Sequence, residues 1–228
     1  MFGMIAVAPA AAVWTITGLG ALIVSVSAYR LIKGLIRRLS GQRILVIGAT
    51  GVGKSALIYF LGGKTKPGTQ TDQPQKFKSF VAEASDDKLY IREGYDVPGG
   101  DSYYGVWKRD FLAADFVFYL IDVDRIQREM NDDYRTTISI HRSRIRRWFG
   151  EAKQENPRKL LIVGTHYDRL PAGQRSHGPP RCLVDFRMAL VEHSNRTEIV
   201  FGSLKNRTRA KRLIIKIVKT IERAMEDG

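Results

Sequence analysis

The 228-residue sequence predicts an α/β protein with a mostly parallel sheet. Short apolar runs typical of buried strands alternate with longer amphipathic segments, which is the order of βαβ units. A content of 44% hydrophobic and 26% charged residues is typical of a folded chain. The single Cys182 excludes an internal disulfide framework and a cysteine-rich zinc site. The net charge of +14 indicates attraction to an anionic surface, either lipid head groups or nucleic acid.

The first 29 residues contain no charged side chain. As a helix rising about 1.5 Å per residue, residues 5–29 would reach about 37 Å, which is enough to cross a hydrocarbon core of about 30 Å. The basic residues Arg30, Lys33, Arg37, Arg38 and Arg43 follow, with no acid among them. By the positive-inside rule, we expect residues 1–29 to be a transmembrane anchor, 30–41 a basic linker and 42–228 a cytoplasmic domain. The alternatives are a cleaved signal peptide, disfavoured because no basic segment precedes the apolar stretch, and a core or interfacial helix.

The body begins with a predicted strand at 43–48, a glycine-rich turn and a short helix to Leu61. Two apolar runs at 77–84 and 88–96 follow without a helix between them, so we expect a hairpin turning at Ser85, Asp86 and Asp87. Further strands are predicted at 116–122, 159–165 and 198–203, and helices at 102–114, 130–155, 181–194 and from about Thr208. One antiparallel strand therefore joins a mostly parallel sheet.

The glycine-rich turn matches G-x-x-x-x-G-K-[ST] between a strand and a helix. Its residues are Gly48, Ala49, Thr50, Gly51, Val52, Gly53, Lys54 and Ser55, and Ala56 continues into the helix. In such a loop backbone N–H groups surround a β-phosphate, the lysine neutralises the β and γ oxygens, and the hydroxyl binds Mg²⁺. The alternative is a turn that merely connects the strand to the helix.

A nucleotide site also needs an acidic residue on the magnesium side, and Asp96 and Gly99 form a D-x-x-G pattern after the hairpin. Asp96 would hold the metal through water, and the N–H of Gly99 would contact the γ-phosphate. A simple turn at Pro98 and Gly99 is the alternative. For the threonine that completes the magnesium site, both Thr69 and Thr71 are candidates, and we favour Thr71 for its nearness to the next strand.

Two further segments bear on the choice of base. Thr165, His166 and Asp168 follow one predicted strand and match [NT]-K-x-D, except that histidine replaces lysine. Ser203, Leu204 and Lys205 follow the next strand and are similar to S-A-K. The alternative interpretation of the first segment is a simple turn, and that of the second is a cap for the final helix. Both segments look like the base-recognition elements of GTPases, and this likeness implies guanine recognition, with Asp168 accepting from the base and Leu204 donating its backbone N–H.

Over residues 42–226 the motifs GATGVGKS, DVPGGD, THYD and SLK resemble, in order and spacing, those of small Ras-like GTPases, above all the Arf group. The segment DSYYGVWKRDFLAADFVFYLIDVD is similar to the family of signal recognition particle receptor beta subunits, which also carry an N-terminal membrane helix. The resemblance implies a P-loop GTPase fold with a six-stranded mixed sheet flanked by helices, and GTP or GDP with Mg²⁺ at the carboxyl ends of the strands.

The sequence departs from these families at Gly100, where a glutamine normally orients the attacking water. We therefore expect slow intrinsic hydrolysis, with Lys54, Thr71 and Gly99 as the residues that act on the γ-phosphate. The expected function is a membrane-tethered GTP/GDP switch that recruits a cytosolic partner and is open to an activator. The rival is a docking subunit that holds the nucleotide with little turnover.

The remaining positive charge lies in the predicted helices around 135–159 and 205–228. A solvated face is the simplest interpretation of these basic residues. Contact with the anionic leaflet beside the anchor comes second, and nucleic acid is unlikely because no recognition module accompanies the charge.

Overall fold

The computed structural model describes residues 41–64, 73–84, 87–128, 133–152, 159–175, 178–190 and 197–226. Its strands are β1 (Ile44–Gly48), β2 (Gln75–Phe77), β3 (Phe80–Ala84), β4 (Asp87–Ile91), β5 (Gly94–Asp96), β6 (Phe116–Asp122), β7 (Lys159–Thr165) and β8 (Thr197–Phe201). Its α-helices are α1 (Lys54–Leu61), α2 (Tyr104–Ala113), α3 (Val123–Arg128), α4 (Asp133–Glu151), α5 (Arg181–Met188) and α6 (Arg207–Glu226). Short 3-10 helices occupy Asp101–Tyr103, Tyr167–Arg169 and Ala172–Gln174.

The centre of the fold is a parallel four-stranded sheet in the order β1-β6-β7-β8. Leu45 lies opposite Val117, which lies opposite Leu160 on the far side. Every residue of β6 is buried, which explains why this strand reads as a continuous apolar run ending in one aspartate. The structure therefore confirms an α/β protein with a parallel sheet flanked by helices.

The region between α1 and α2 forms two antiparallel pairs, β3 with β4 and β2 with β5. The two strands predicted for the hairpin pair as expected, β3 with β4, although each is interrupted, at 78–79 and at 92–93. Asp87, expected in the turn, begins β4 instead, and Ser85 and Asp86 lie outside the described residues. A parallel bridge connects this region to the start of β1, with Gln42 N donating to Tyr90 O (2.6 Å) and Arg92 N donating to Gln42 O (3.0 Å).

The helices pack in pairs. Helix α6 contacts α1 and the hairpin strands β3 and β4, and α2 contacts α4. The helix predicted from about Thr208 corresponds to α6, and its apolar residues recur at helical spacing on the buried face, with Leu213, Ile217 and Ile221 each no more than 1% exposed. Helix α3 was not predicted, because its sequence VDRIQR is short and mostly polar. It follows β6 directly and ends before the longer helix expected at 130–155, which the structure places at α4.

Within the described ranges no helix combines the length and the apolar character needed to span a bilayer. The anchor at 1–29 and most of the basic linker at 30–41 lie outside those ranges. Both remain predictions.

Candidate functional site

Each predicted motif of the body lies at the carboxyl end of a strand. Gly48 ends β1, Asp96 ends β5 and Thr165 ends β7, while Ser203 lies two residues beyond the end of β8. Because β1, β6, β7 and β8 are parallel neighbours, their carboxyl ends lie along one edge of the sheet. In α/β sheets this edge is where ligands bind.

The loop between β1 and α1 depends on the conformational freedom of its glycines. Gly48, Gly51 and Gly53 have φ angles of 147°, 81° and 96°, which a side chain would strain. A Cβ on Gly48 would also lie 2.6 Å from the carbonyl oxygen of Leu120. The loop thus reaches its shape only with glycine at these positions, while Thr50 and Gly51 at its rim stay exposed.

Lys54 is turned back over this loop. Its Nζ donates to the carbonyl oxygens of Gly48 and Ala49, each at 3.0 Å, and the residue is only 7% exposed. Burial lowers the pKa of Lys54 to about 8, and the nearby charge of Asp96 partly offsets that effect. A buried ammonium that donates to two carbonyl oxygens and has a carboxylate charge nearby is suited to bind an anion, since the negative charge of a phosphate would raise its pKa again.

The D-x-x-G segment lies directly against the loop. A Cβ on Gly99 would come within 2.5 Å of the Ala49 carbonyl carbon and the Thr50 nitrogen, so only glycine allows this approach. Gly100 is different, because its φ of −81° and ψ of 159° are ordinary extended backbone. The nearest atom to a Cβ there is Ser102 Oγ at 3.9 Å.

Thr165 joins the end of β7 to the glycine-rich loop. Its Oγ1 donates to Val52 O at 2.9 Å and lies 3.3 Å from Ile121 O, and the residue is fully buried. After it, Tyr167 N donates to Gly202 O at 3.1 Å. The two segments proposed to recognise the base are therefore tied to each other and to the loop.

His166 adopts the left-handed conformation, with φ of 57°. Its Nδ1 lies 3.1 Å from Asp122 Oδ2 and 3.1 Å from Thr165 Oγ1. Asp122 Oδ1 accepts from the backbone nitrogens of Asp124 and Arg125 at the start of α3. The histidine that replaces the usual lysine is thus held by the buried aspartate at the end of β6, a partner that the sequence analysis did not identify.

Asp168 already has partners within the chain. Its Oδ2 lies 3.2 Å from an Arg209 guanidinium nitrogen at the start of α6. Desolvation raises the pKa of the Asp168 carboxyl, but a hydrogen bond from Ser203 and the charges of Arg209 and Lys205 outweigh it and leave the pKa below its usual value. Asp168 is therefore ionised at neutral pH, and Arg209 is a second residue that the sequence reasoning missed.

The other predicted site residues that the structure describes lie around the same carboxyl edge of the sheet. Leu204 is buried against the glycine-rich loop, since a Cβ on Gly53 would lie 3.1 Å from Leu204 Cδ1. Lys205 is exposed, and its N–H donates to Ser203 Oγ at 3.1 Å. Ser55 is half-buried on the first turn of α1, and Ala56 is buried beside it. Thr69 and Thr71 lie outside the described residues.

In the part of the chain that the structure describes, no three His, Cys, Asp or Glu side chains gather into a metal site. The predicted magnesium ligands Ser55, Asp96 and Thr71 include only one residue of those four types. The expected ion would be held mainly by hydroxyl, phosphate and water oxygens, so this finding leaves the prediction untested.

A second polar cluster lies beside the D-x-x-G segment and was not identified from the sequence. It consists of Asp101, Tyr104, Trp107, Tyr119 and His141. Tyr119 lies on β6 and His141 on α4, and both are at most 1% exposed. One sequence feature could have indicated this cluster: a histidine stands among the apolar positions of α4, three residues after Ile138 and four before Ile145.

Comparison with known protein families and with curated proteins adds no identification, since no family model and no curated protein matches the chain.

Proposed function

We propose that this protein is a membrane-anchored, Ras-like GTP-binding protein with the P-loop GTPase fold, which acts as a GTP/GDP switch for a partner at the cytoplasmic face of a membrane. One arrangement carries the proposal. The buried ammonium of Lys54, the carboxylate of Asp96 and the backbone of Gly99 meet at the glycine-rich loop, although they come from different elements.

These residues suit the phosphate groups of a nucleotide. Lys54 would exchange its two carbonyl acceptors for the β- and γ-phosphate oxygens, and Gly99 would donate its N–H to the γ-phosphate. Ser55, Asp96 and Thr71 would hold Mg²⁺, which neutralises charge on the same oxygens when it is bound. The left-handed φ angles of Gly48 and Gly53 support this function, because such glycines would let backbone N–H groups turn toward an anion.

The adjoining strand ends support guanine as the base. Asp168 is ionised and would accept from the guanine N1–H and N2–H₂ groups, while Leu204 would offer its N–H to O6. Arg209 occupies one oxygen of Asp168, so guanine would either share the carboxylate with Arg209 or displace it. Adenine would present an N1 lone pair to the same carboxylate, which is repulsive.

We also propose that the hairpin β3–β4 extends the parallel sheet to six strands. The Gln42 bridge to Tyr90 and Arg92 supports this view, since it places β4 beside the start of β1. The resulting order would be β3-β4-β1-β6-β7-β8, a mixed sheet with one antiparallel strand at its edge.

The rival function is a docking subunit that keeps its nucleotide. Gly100 favours it, because no side chain at this position can orient water. The switch remains preferred because Lys54 and Asp96 retain the groups needed for phosphate and metal chemistry. Comparing GTP turnover with and without cell extract tests the two, since extract-stimulated turnover is expected of a switch alone.

An Asp168→Asn substitution tests whether guanine is the base that the site binds. Wild-type protein should bind GDP and GTP in preference to ATP, and the variant should lose guanine and gain xanthine nucleotides, because asparagine donates where aspartate accepts. Asp185→Asn is the matched control, since Asp185 is largely exposed and its carboxylate lies 3.9 Å from the Arg181 guanidinium. Equal competition by ATP and GTP at the wild-type site would overturn the guanine assignment.

The membrane part of the proposal is tested separately. Residues 1–29 should remain attached to the mature protein, and the body should be protected from protease added outside sealed cells. A mature N-terminus downstream of residue 12, or cleavage of the body from outside, would contradict the anchor.

A further inference from the structure

A chain of hydrogen bonds runs from the central strand of the sheet to the segment that follows D-x-x-G. Tyr119 Oη on β6 lies 3.0 Å from His141 Nδ1, and His141 Nε2 lies 3.1 Å from Tyr104 Oη. Tyr104 Oη in turn donates to Asp101 Oδ1 at 2.6 Å. The exposed carboxylate of Asp101 is thereby connected to the interior of the protein through His141.

Only one direction of donation satisfies every group in this chain. An ionised Asp101 can only accept, so Tyr104 must give it the hydroxyl proton. Tyr104 then accepts from His141, which fixes the proton on Nε2 and leaves Nδ1 to accept from Tyr119. Burial favours the neutral imidazole and lowers the pKa of His141 to about 4. The cluster is therefore a fully satisfied polar chain at neutral pH, as buried polar groups require.

A second contact fixes the other side of the same segment. Trp107 Nε1 donates to Pro98 O at 3.2 Å, and the indole is 1% exposed. The ring of Trp107 lies edge-on to His141, with centroids 5.0 Å apart, and Arg144 covers the outer face of the Tyr104 ring at 3.9 Å. Pro98 and Asp101 are thus both anchored to one aromatic cluster.

The hydrogen bonds of Trp107 to Pro98 and of Tyr104 to Asp101, here called the two backbone anchors, flank Gly99 and Gly100. A glycine pair has more conformational freedom than any other dipeptide, so its backbone is costly to order. Here it is fixed at both ends, with Gly99 already against the glycine-rich loop. Without the anchors, the segment would have to be ordered by the nucleotide.

We propose that Tyr104 and His141 are positioning residues that hold the Gly99 N–H at the γ-phosphate position before a nucleotide binds. The inference rests on the proposed function and deepens it, because it assigns the contact that would distinguish GTP from GDP to residues outside the nucleotide motifs. GDP has no γ-phosphate, so its affinity should not depend on the anchors.

The decisive variant is Tyr104→Phe in the full chain. It removes one hydroxyl and keeps the ring that Arg144 and Trp107 contact. Affinity for a non-hydrolysable GTP analogue should fall about tenfold, while affinity for GDP should change less than twofold. Tyr90→Phe is the matched control, because Tyr90 is 48% exposed on β4 and is not one of the four residues of the hydrogen-bonded chain. An unchanged ratio of the two affinities, or an equal loss of both, would overturn the proposal.

Two measurements without nucleotide test the positioning itself. Hydrogen exchange of a peptide covering residues 97–103 should be faster in Tyr104→Phe than in wild type, and equal rates would refute the role of Tyr104. The ¹⁵N shifts of His141 should report the neutral Nε2–H form at pH 7, and an Nδ1–H form would contradict the direction of the chain. Failure of wild-type protein to bind either nucleotide would instead refute the proposed function, and the positioning role with it.

Discussion

If the protein hydrolyses GTP as proposed, installing glutamine at position 100 should raise the intrinsic rate. Gly100 has extended backbone, and a Cβ there would have no neighbour closer than Ser102 Oγ at 3.9 Å, so Gly100→Gln introduces no strain. The loss of glycine's freedom in the unfolded chain should stabilise the protein by about 0.4–1 kcal/mol. If the missing side chain limits the chemistry, a rate gain of tenfold or more is expected, equal to about 1.4 kcal/mol of barrier.

The assay is single-turnover hydrolysis of γ-labelled GTP, with GTP affinity measured in parallel. Gly99→Ala is the contrasting variant, because its Cβ would lie 2.5 Å from backbone atoms of Ala49 and Thr50. Such a contact can be relieved only by moving the segment away from the loop, so this variant should bind GTP more weakly. Our reasoning fails if Gly100→Gln binds GTP normally and hydrolyses it at the wild-type rate.

Two further predictions follow from buried ionisable groups. Because the pKa of Lys54 is about 8 in the folded chain and 10.5 ordinarily, the unfolded state binds more protons between these values, and stability should rise by about 2 kcal/mol from pH 7.5 to 9.5. Urea unfolding of nucleotide-free wild type and Lys54→Met checks this, and an equal rise in the variant would contradict it. The pKa of His141 is about 4 against an ordinary 6.5, so stability should fall by about 2 kcal/mol from pH 7 to 5 as the unfolded state takes up the proton. The His141→Gln variant should lose that part of the pH dependence. If the variant kept it, His141 would be excluded as the cause.

What the sequence predicted well is encoded in neighbouring residues. The loop from Gly48 to Ser55 combines a strand, a turn and a helix start in one contiguous pattern, and the last helix carries an apolar stripe at helical spacing. The strands β6 and β7 were found at their observed bounds because both are continuous apolar runs. In each case a local preference and the burial of the element agree, and the structure follows.

The interruptions of the hairpin strands and the short helix α3 could not be predicted from the sequence. Runs such as FKSFVAEA show no break at residues 78–79, because the break depends on which partner strand each half pairs with. Helix α3 has too few residues to show a period, and its ordered first turn depends on Asp122 accepting from the backbone of Asp124 and Arg125.

The sequence by itself determined the position of the glycine-rich loop and the ends of β1, β5, β6 and β7, since short-range spacing specifies both. The last strand was expected to reach residue 203 and ends at Phe201. The tertiary structure decided which side chains surround them. Tyr104 and His141 are 37 residues apart, and Asp168 and Arg209 are further apart still, so no local pattern joins them. Their contacts arise only when α2, α4 and α6 pack, because long-range pairs are set by the folding of the whole chain and not by the preference of any segment.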